Sequence, residues 1–226
     1  MGRRLAILLA ACLAVPALAF AGAGAGEPKK RIAPADQKKA AAIVLKRADL
    51  AANWKRIHTS DGGDDLRCPG FAPDESDLTL TGESETEFEY TGGMPYLGSF
   101  SNVYVSTKDA LASWTRSVKP AVAGCVAHFF RQGVAAEGGK VTILKQGKIA
   151  FPLVAPRTAA FHVLARVTLT NAGKSVTIPF AIHLIALGRG RADVGLIAMG
   201  PGTGIPTRDL REFARVLSLR LKQSGL

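Results

Sequence analysis

Apolar and polar residues alternate with period two along most of the C-terminal half of the chain. Phe161, Val163, Ala165, Val167 and Leu169 fall on one face of a strand over 161–170. Val176, Ile178, Phe180, Ile182, Leu184 and Ala186 do so over 175–187, and 191–199 adds a third strand to this meander. A one-residue slip inverts every side chain, so apolar must face apolar. A two-residue loop at Ala172-Gly173 meets this demand, pairing Leu169 with Val176, Val167 with Ile178 and Val163 with Ile182. A three-residue loop Gly188-Arg189-Gly190 then sets Ala186 beside Ala192 and Leu184 beside Val194, with Gly190 supplying the positive φ.

The N-terminal half carries shorter signals. Residues 53–57, 78–81, 88–90, 97–105 and 140–151 read as strands, with Gly82 as a bulge and Gly92-Gly93 as a turn. Pro34 suits the first turn of a helix over 35–49, with Ala40, Ile43, Val44 and Ala48 on its apolar side. Ser106 and Asp109 form a capping box before Leu111, Trp114 and Val118. Pro120 breaks that helix, and a second piece over 121–131 places Val122, Cys125, Val126 and Phe129 together. Thr207 caps a last helix with Leu210, Phe213, Ala214, Leu217 and Leu221 in its stripe. Between 59 and 76 the chain is a loop punctuated by glycine and proline. The pattern predicts an α+β fold: an antiparallel sheet ending in a meander, with the N- and C-terminal helices on one face and the central helix on the other.

The first 25 residues stand apart. Met1-Gly2-Arg3-Arg4 is positive, Leu5 to Phe20 is apolar, and Ala17-Leu18-Ala19 and Ala19-Phe20-Ala21 are small-x-small sites. That order predicts a signal peptide over 1–25, a flexible lead-in over 26–33, and one domain over 34–226. Leu9-Ala10-Ala11-Cys12 is an alternative reading, a lipobox with Cys12 as the lipidated residue, although the chain stays apolar beyond it.

Without the leader two cysteines remain, Cys68 and Cys125. In an oxidising compartment they predict a disulfide. The long loop it closes makes it worth about 4 kcal/mol in the chain-entropy model. The spacing fits neither a Cys-x-x-Cys redox motif nor a zinc site.

The chain has 226 residues, a net charge of +11 and 47% hydrophobic residues, enough for one core. Ten acids and one base, Arg67, lie between Asp61 and Glu89, while beyond Lys140 only Asp193, Asp209 and Glu212 oppose the bases. Arg208, Arg211, Arg215 and Lys222 make a stripe on the last helix that suits an anionic partner or a solvated face. Nucleic acid is not an expected partner, and a monomer is.

Motifs for chemistry are few. The Asp61-Gly-Gly-Asp64-Asp65 run lacks the ligand spacing of an EF-hand. The stretch 98–102 lacks the glycines of a nucleophile elbow, and the glycine-rich 199–204 lacks a phosphate-loop Lys-Ser/Thr ending. The strand register places His162 across from His183, with Gly195 on the other side of His183 and Asp193 diagonal to it. That cluster is the site candidate, for a metal, a pH response or acid–base work; the competing reading is two space-filling strand histidines.

Ser99-Phe-Ser-Asn-Val-Tyr-Val-Ser106, then Asp109-Ala110 and Cys125, within the order of helix, Cys loop, capped helix and meander, resemble secreted actinobacterial Mog1/PsbP-like domains. The extracellular sensor domain of PknH-type receptor kinases is one of these. The resemblance implies an α/β/α sandwich that binds rather than catalyses. Those sensor domains hold two disulfides; this chain has cysteines for one.

The expectation is therefore a secreted, non-catalytic binding or envelope-associated domain for a small molecule or envelope component, with no cofactor and no transmembrane segment in the mature chain. Its groove is expected beside the His162/His183 face. The alternatives are a hydrolase-like enzyme using His162, His183 and Asp193, and an adhesin for anionic envelope polymers.

Overall fold

The computed structural model describes residues 26–57, 67–171 and 174–226. Eight strands form one sheet: β1 (Lys29–Lys30), β2 (Trp54–Ile57), β3 (Thr79–Tyr90), β4 (Tyr96–Tyr104), β5 (Lys140–Lys148), β6 (Arg157–Asn171), β7 (Lys174–Arg189) and β8 (Ala192–Pro201). The helices are α1 (Pro34–Ile43), α2 (Thr107–Ser117), α3 (Ala121–Ala136) and α4 (Thr207–Gln223). The sheet order is β1-β3-β4-β8-β7-β6-β5, with β2 also paired to β3. The class is α+β. The sheet is mixed rather than wholly antiparallel, because β1 runs parallel to β3.

β1 corrects the expected flexible lead-in. Lys29 N–H donates to Leu78 O (2.9 Å), and Arg31 and Ala33 N–H continue the ladder onto Leu80 and Thr81 carbonyls. Sequence shows no apolar pattern there because a short edge strand is held by backbone bonds alone. Helix α1 is also shorter than 35–49. Val44 is already extended, and Val44 and Leu45 are buried. The sheet stops the helix: Leu45 N–H donates to Ser99 Oγ (2.8 Å), and Thr86 Oγ1–H donates to Leu45 O (2.9 Å). The two expected pieces form one strand, Thr79–Tyr90, whose register shifts between Leu80 and Gly82, as a bulge there requires. At Gly82 a Cβ would press into the backbone of Asp36, so the missing side chain lets α1 sit close on the sheet.

Ser106 caps α2 as expected, accepting from Asp109 N–H (3.1 Å). The apolar side of α2 differs from its sequence reading. Leu111 is exposed, and the helix buries Ala110 and Ser113 instead. Helix α3 runs on to Ala136 and buries Val122, Cys125, Val126, Phe130 and Val134; Phe129 is only half-buried. Cys125 therefore faces inward and is joined to Cys68, with their Cα atoms 5.5 Å apart.

The β6–β7 register is as the apolar pattern demands: Leu169 opposes Val176, Val167 Ile178, and Val163 Ile182. The β7–β8 register is not. Arg189 opposes Ala192, so the connection has two residues, Gly190 (φ +51°) and Arg191, and Ala186 faces Gly195 instead of Ala192. The slip went unseen because β8 is apolar on both sides. Val194, Leu196 and Ala198 enter one core, Ile197 and Met199 the other. A strand buried on both faces has no alternation from which to choose a register.

Two cores follow, one on each sheet face. Helices α1 and α4 cover the first, meeting Leu97, Ile185, Leu187 and Leu196. Helix α3 and the Cys68 loop cover the second, on Phe161, Val163, Phe180, Ile182 and Leu184. Helix α2 lies on this second face, where Ala110 packs on Tyr104.

Candidate functional site

His162 and His183 do stand directly opposite each other, on the face covered by α4. Asp193 does not join them, which corrects the expected cluster. The three-residue difference in register pairs Asp193 with Gly188 and places Ala198 across from His183. Because strand faces alternate, Asp193 lies on the far side of the sheet from the two rings. Burial lowers the pKa of both histidines, helped at His162 by the nearby Lys145 and His183 and opposed at His183 by a bond to the Thr203 carbonyl (3.3 Å). The shift of each favours the neutral ring. Among the described residues no three metal-ligating side chains gather anywhere.

On its own face Asp193 belongs to a different group. Arg157, at the start of β6, donates through Nη2 to Asp193 Oδ1 (2.9 Å) and also to the Gly190 and Ala192 carbonyls. Its guanidinium lies 5.7 Å from the Trp114 ring centroid, in cation–π range. Burial is the main influence on Asp193 and pushes its carboxyl up to about 6, against the pull of Arg157. Gly188 makes this possible, since a Cβ there would collide with both side chains.

Asp193 lines a cavity of about 130 Å³ between the sheet, α2, α3 and the loop after Cys68. Phe100, Phe161 and Leu184 form its floor on the sheet; Trp114, Val118 and Val122 its helical wall; Phe71 and Pro73 its loop wall. The disulfide holds that loop against α3. At Gly195 a Cβ would overlap the Phe100 ring, so this glycine is the seat on which Phe100 rests. This cavity lies on the sheet face opposite the two histidines.

The second carboxylate in the cavity wall is Glu75, a buried residue of the same loop. Ser113 and Ser117, one turn apart on α2, both donate to Glu75 Oε1, at 2.8 and 2.7 Å. Tyr104 Oη–H extends the chain by donating to Ser113 Oγ (2.7 Å). Burial and the charge of Glu75 drive the pKa of Tyr104 well above its usual range, so it stays a donor. Sequence reading missed Glu75, Arg157 and Trp114 as a group. The only local sign was Ser113 and Ser117 beside Trp114 on one helix side, which the apolar stripe obscured.

Compared with known proteins, the chain matches no family model, no curated protein and no solved structure. Its function is therefore argued from this geometry.

Other sequence candidates stand as follows. Arg208, Arg211, Arg215 and Lys222 are all exposed on α4, Arg208 beside Asp209 at 3.3 Å. The basic residue of α4 that does structural duty is Arg220, with two 2.7 Å bonds to Asp49. Cys12, the leader 1–25, the run 61–65 and the loop Ala172-Gly173 lie outside the described residues. Among those that are described, no helix is long and apolar enough to cross a membrane. This and the disulfide are compatible with a place outside the cytoplasm.

Proposed function

We propose that the chain is an exported, non-catalytic binding domain of Mog1/PsbP-like kind, and that the cavity beneath α2 is where it holds a small molecule. One observation carries this reading: an apolar cavity walled by aromatic rings and holding a few fixed polar groups. Small-molecule sites have this make-up, with apolar walls for affinity and a few polar groups for orientation. A dry cavity of roughly 150 Å³ accommodates a benzene ring, so the occupant here is of ring or short-chain size. A disulfide across the cavity loop suits an oxidising compartment, where such a bond persists.

Native mass spectrometry of the full chain made in an exporting host tests the proposal. The expected result is a chain shortened near residue 25, with Cys68 bonded to Cys125 and a small molecule retained noncovalently. Ala186→Phe places a ring in the cavity and abolishes that retention. An intact leader with both thiols reduced overturns the location; equal retention by Ala186→Phe overturns the site.

A further inference from the structure

Resting on that binding reading, we infer that the cavity selects a small organic cation: an apolar body of ring size bearing an amine that docks on Glu75. Among the described residues the donors to the Glu75 side chain are Ser113 and Ser117; both take Oε1 and both are neutral hydroxyls, so no described donor occupies Oε2. A buried carboxylate with only neutral donors is incompletely compensated, and a cation is the partner that compensates it best.

The cations nearby are engaged. Arg157 pairs with Asp193, and Arg116, which feels the charge of Glu75, is bound to Asp77 and the Asp74 carbonyl. Arg67 donates to the Pro73 carbonyl (3.3 Å) and has further contacts. Among the residues that line the cavity, Glu27, Glu75 and Asp193 are acids and Arg67 is a base, and the Asp193 charge is met by Arg157. The rings of Phe71, Phe100 and Trp114 offer faces that tolerate a positive charge as well as apolar contact. An anion would face Glu75, which no side-chain cation among the described residues neutralises by direct contact.

Three probes of one size separate the possibilities: benzylamine, toluene and benzoate at millimolar concentration, read by thermal shift and calorimetry on the full chain. Benzylamine is expected to bind about tenfold tighter than toluene, the value of one charge-assisted hydrogen bond, and benzoate weakest. Glu75→Gln keeps an acceptor for both serines and is expected to reduce benzylamine to the affinity of toluene. Circular dichroism of Glu75→Gln verifies its fold, and Ser117→Ala, which frees Oε1 further, is expected to retain the amine preference. Equal binding of benzylamine and toluene, a preference for benzoate, or an unchanged preference in Glu75→Gln overturns the cation inference and leaves the cavity reading standing. No shift from any probe, or shifts that persist in Ala186→Phe, overturns both.

Discussion

Arg191 grips Asp36 through two hydrogen bonds of 2.7 Å, although 155 residues separate them in the chain. The same guanidinium donates to the Tyr104 carbonyl (3.0 Å), and Thr81 Oγ1–H donates to Asp36 (2.7 Å). This partly buried pair fastens the first turn of α1 to the β7–β8 turn, where the unexpected register originates. Arg191 holds the carboxyl of Asp36 below the ordinary aspartate range, outweighing burial, with Thr81 assisting. A depressed carboxylate stabilises the fold above its unfolded pKa, and that stability is lost as pH falls through the folded value. Asp36→Asn is expected to lose about 1–2 kcal/mol at pH 7, less than a fully buried pair because Arg191 is partly open to solvent. Urea melts over pH 7 to 2 check this: the gap between variant and parent should narrow in acid.

The disulfide closes a loop of 57 residues. In the chain-entropy model it contributes about 4 kcal/mol. For a domain of this size Cys125→Ser, or reduction, is expected to lower Tm by roughly 10 °C. Differential scanning calorimetry with and without reductant measures it, and the cavity should lose ligand first because Phe71, Pro73 and Glu75 belong to the tethered loop.

Gly195 carries Phe100 where any side chain would collide with it. Gly195→Ala is expected to cost about 1–3 kcal/mol, the usual range for overpacking. Adding Phe100→Leu should recover part of the loss by relieving the overlap. A double-mutant cycle by chemical denaturation reads the coupling; additive effects would show that the two positions do not touch.

Glu85 opposes Phe100 across β3–β4, with Glu83 and Glu87 on the same face. Burial first, then those two neighbours, raises its pKa from 4.5 to about 7. The folded state then binds a proton more tightly than the unfolded state between those values, so stability falls as pH rises through the window. Glu85→Gln removes the penalty. It is expected to be more stable than the parent by about 1 kcal/mol at pH 8, after solvent screening, and to show no gain below pH 4. Stability curves at the two pH values decide it.

On the long strands with one wet face the pattern was legible, whereas on the short helix α2 it misplaced Leu111. The alternation of 161–169 and 176–186 determined the β6–β7 pairing residue by residue, and with it the meeting of His162 and His183. Ser106, Pro120 and Gly82 each marked a boundary or bulge because their local chemistry admits few alternatives. The inward face of Cys125 followed from helical spacing, and the disulfide from two cysteines left to pair.

Only the folded chain decided the β8 register, the edge strand at Lys29–Lys30 and the cavity. β8 has two buried faces, so no pattern distinguished one pairing from another; the Gly190-Arg191 turn and the Asp36 bridge fixed it. That choice sent Asp193 away from the histidines and towards Arg157. Glu75, the neighbours Ser113 and Trp114, and Asp193 come from three separate stretches of chain, and no periodicity links them. Sequence periodicity reports which way a residue faces within its own element; which elements meet is decided by packing between them.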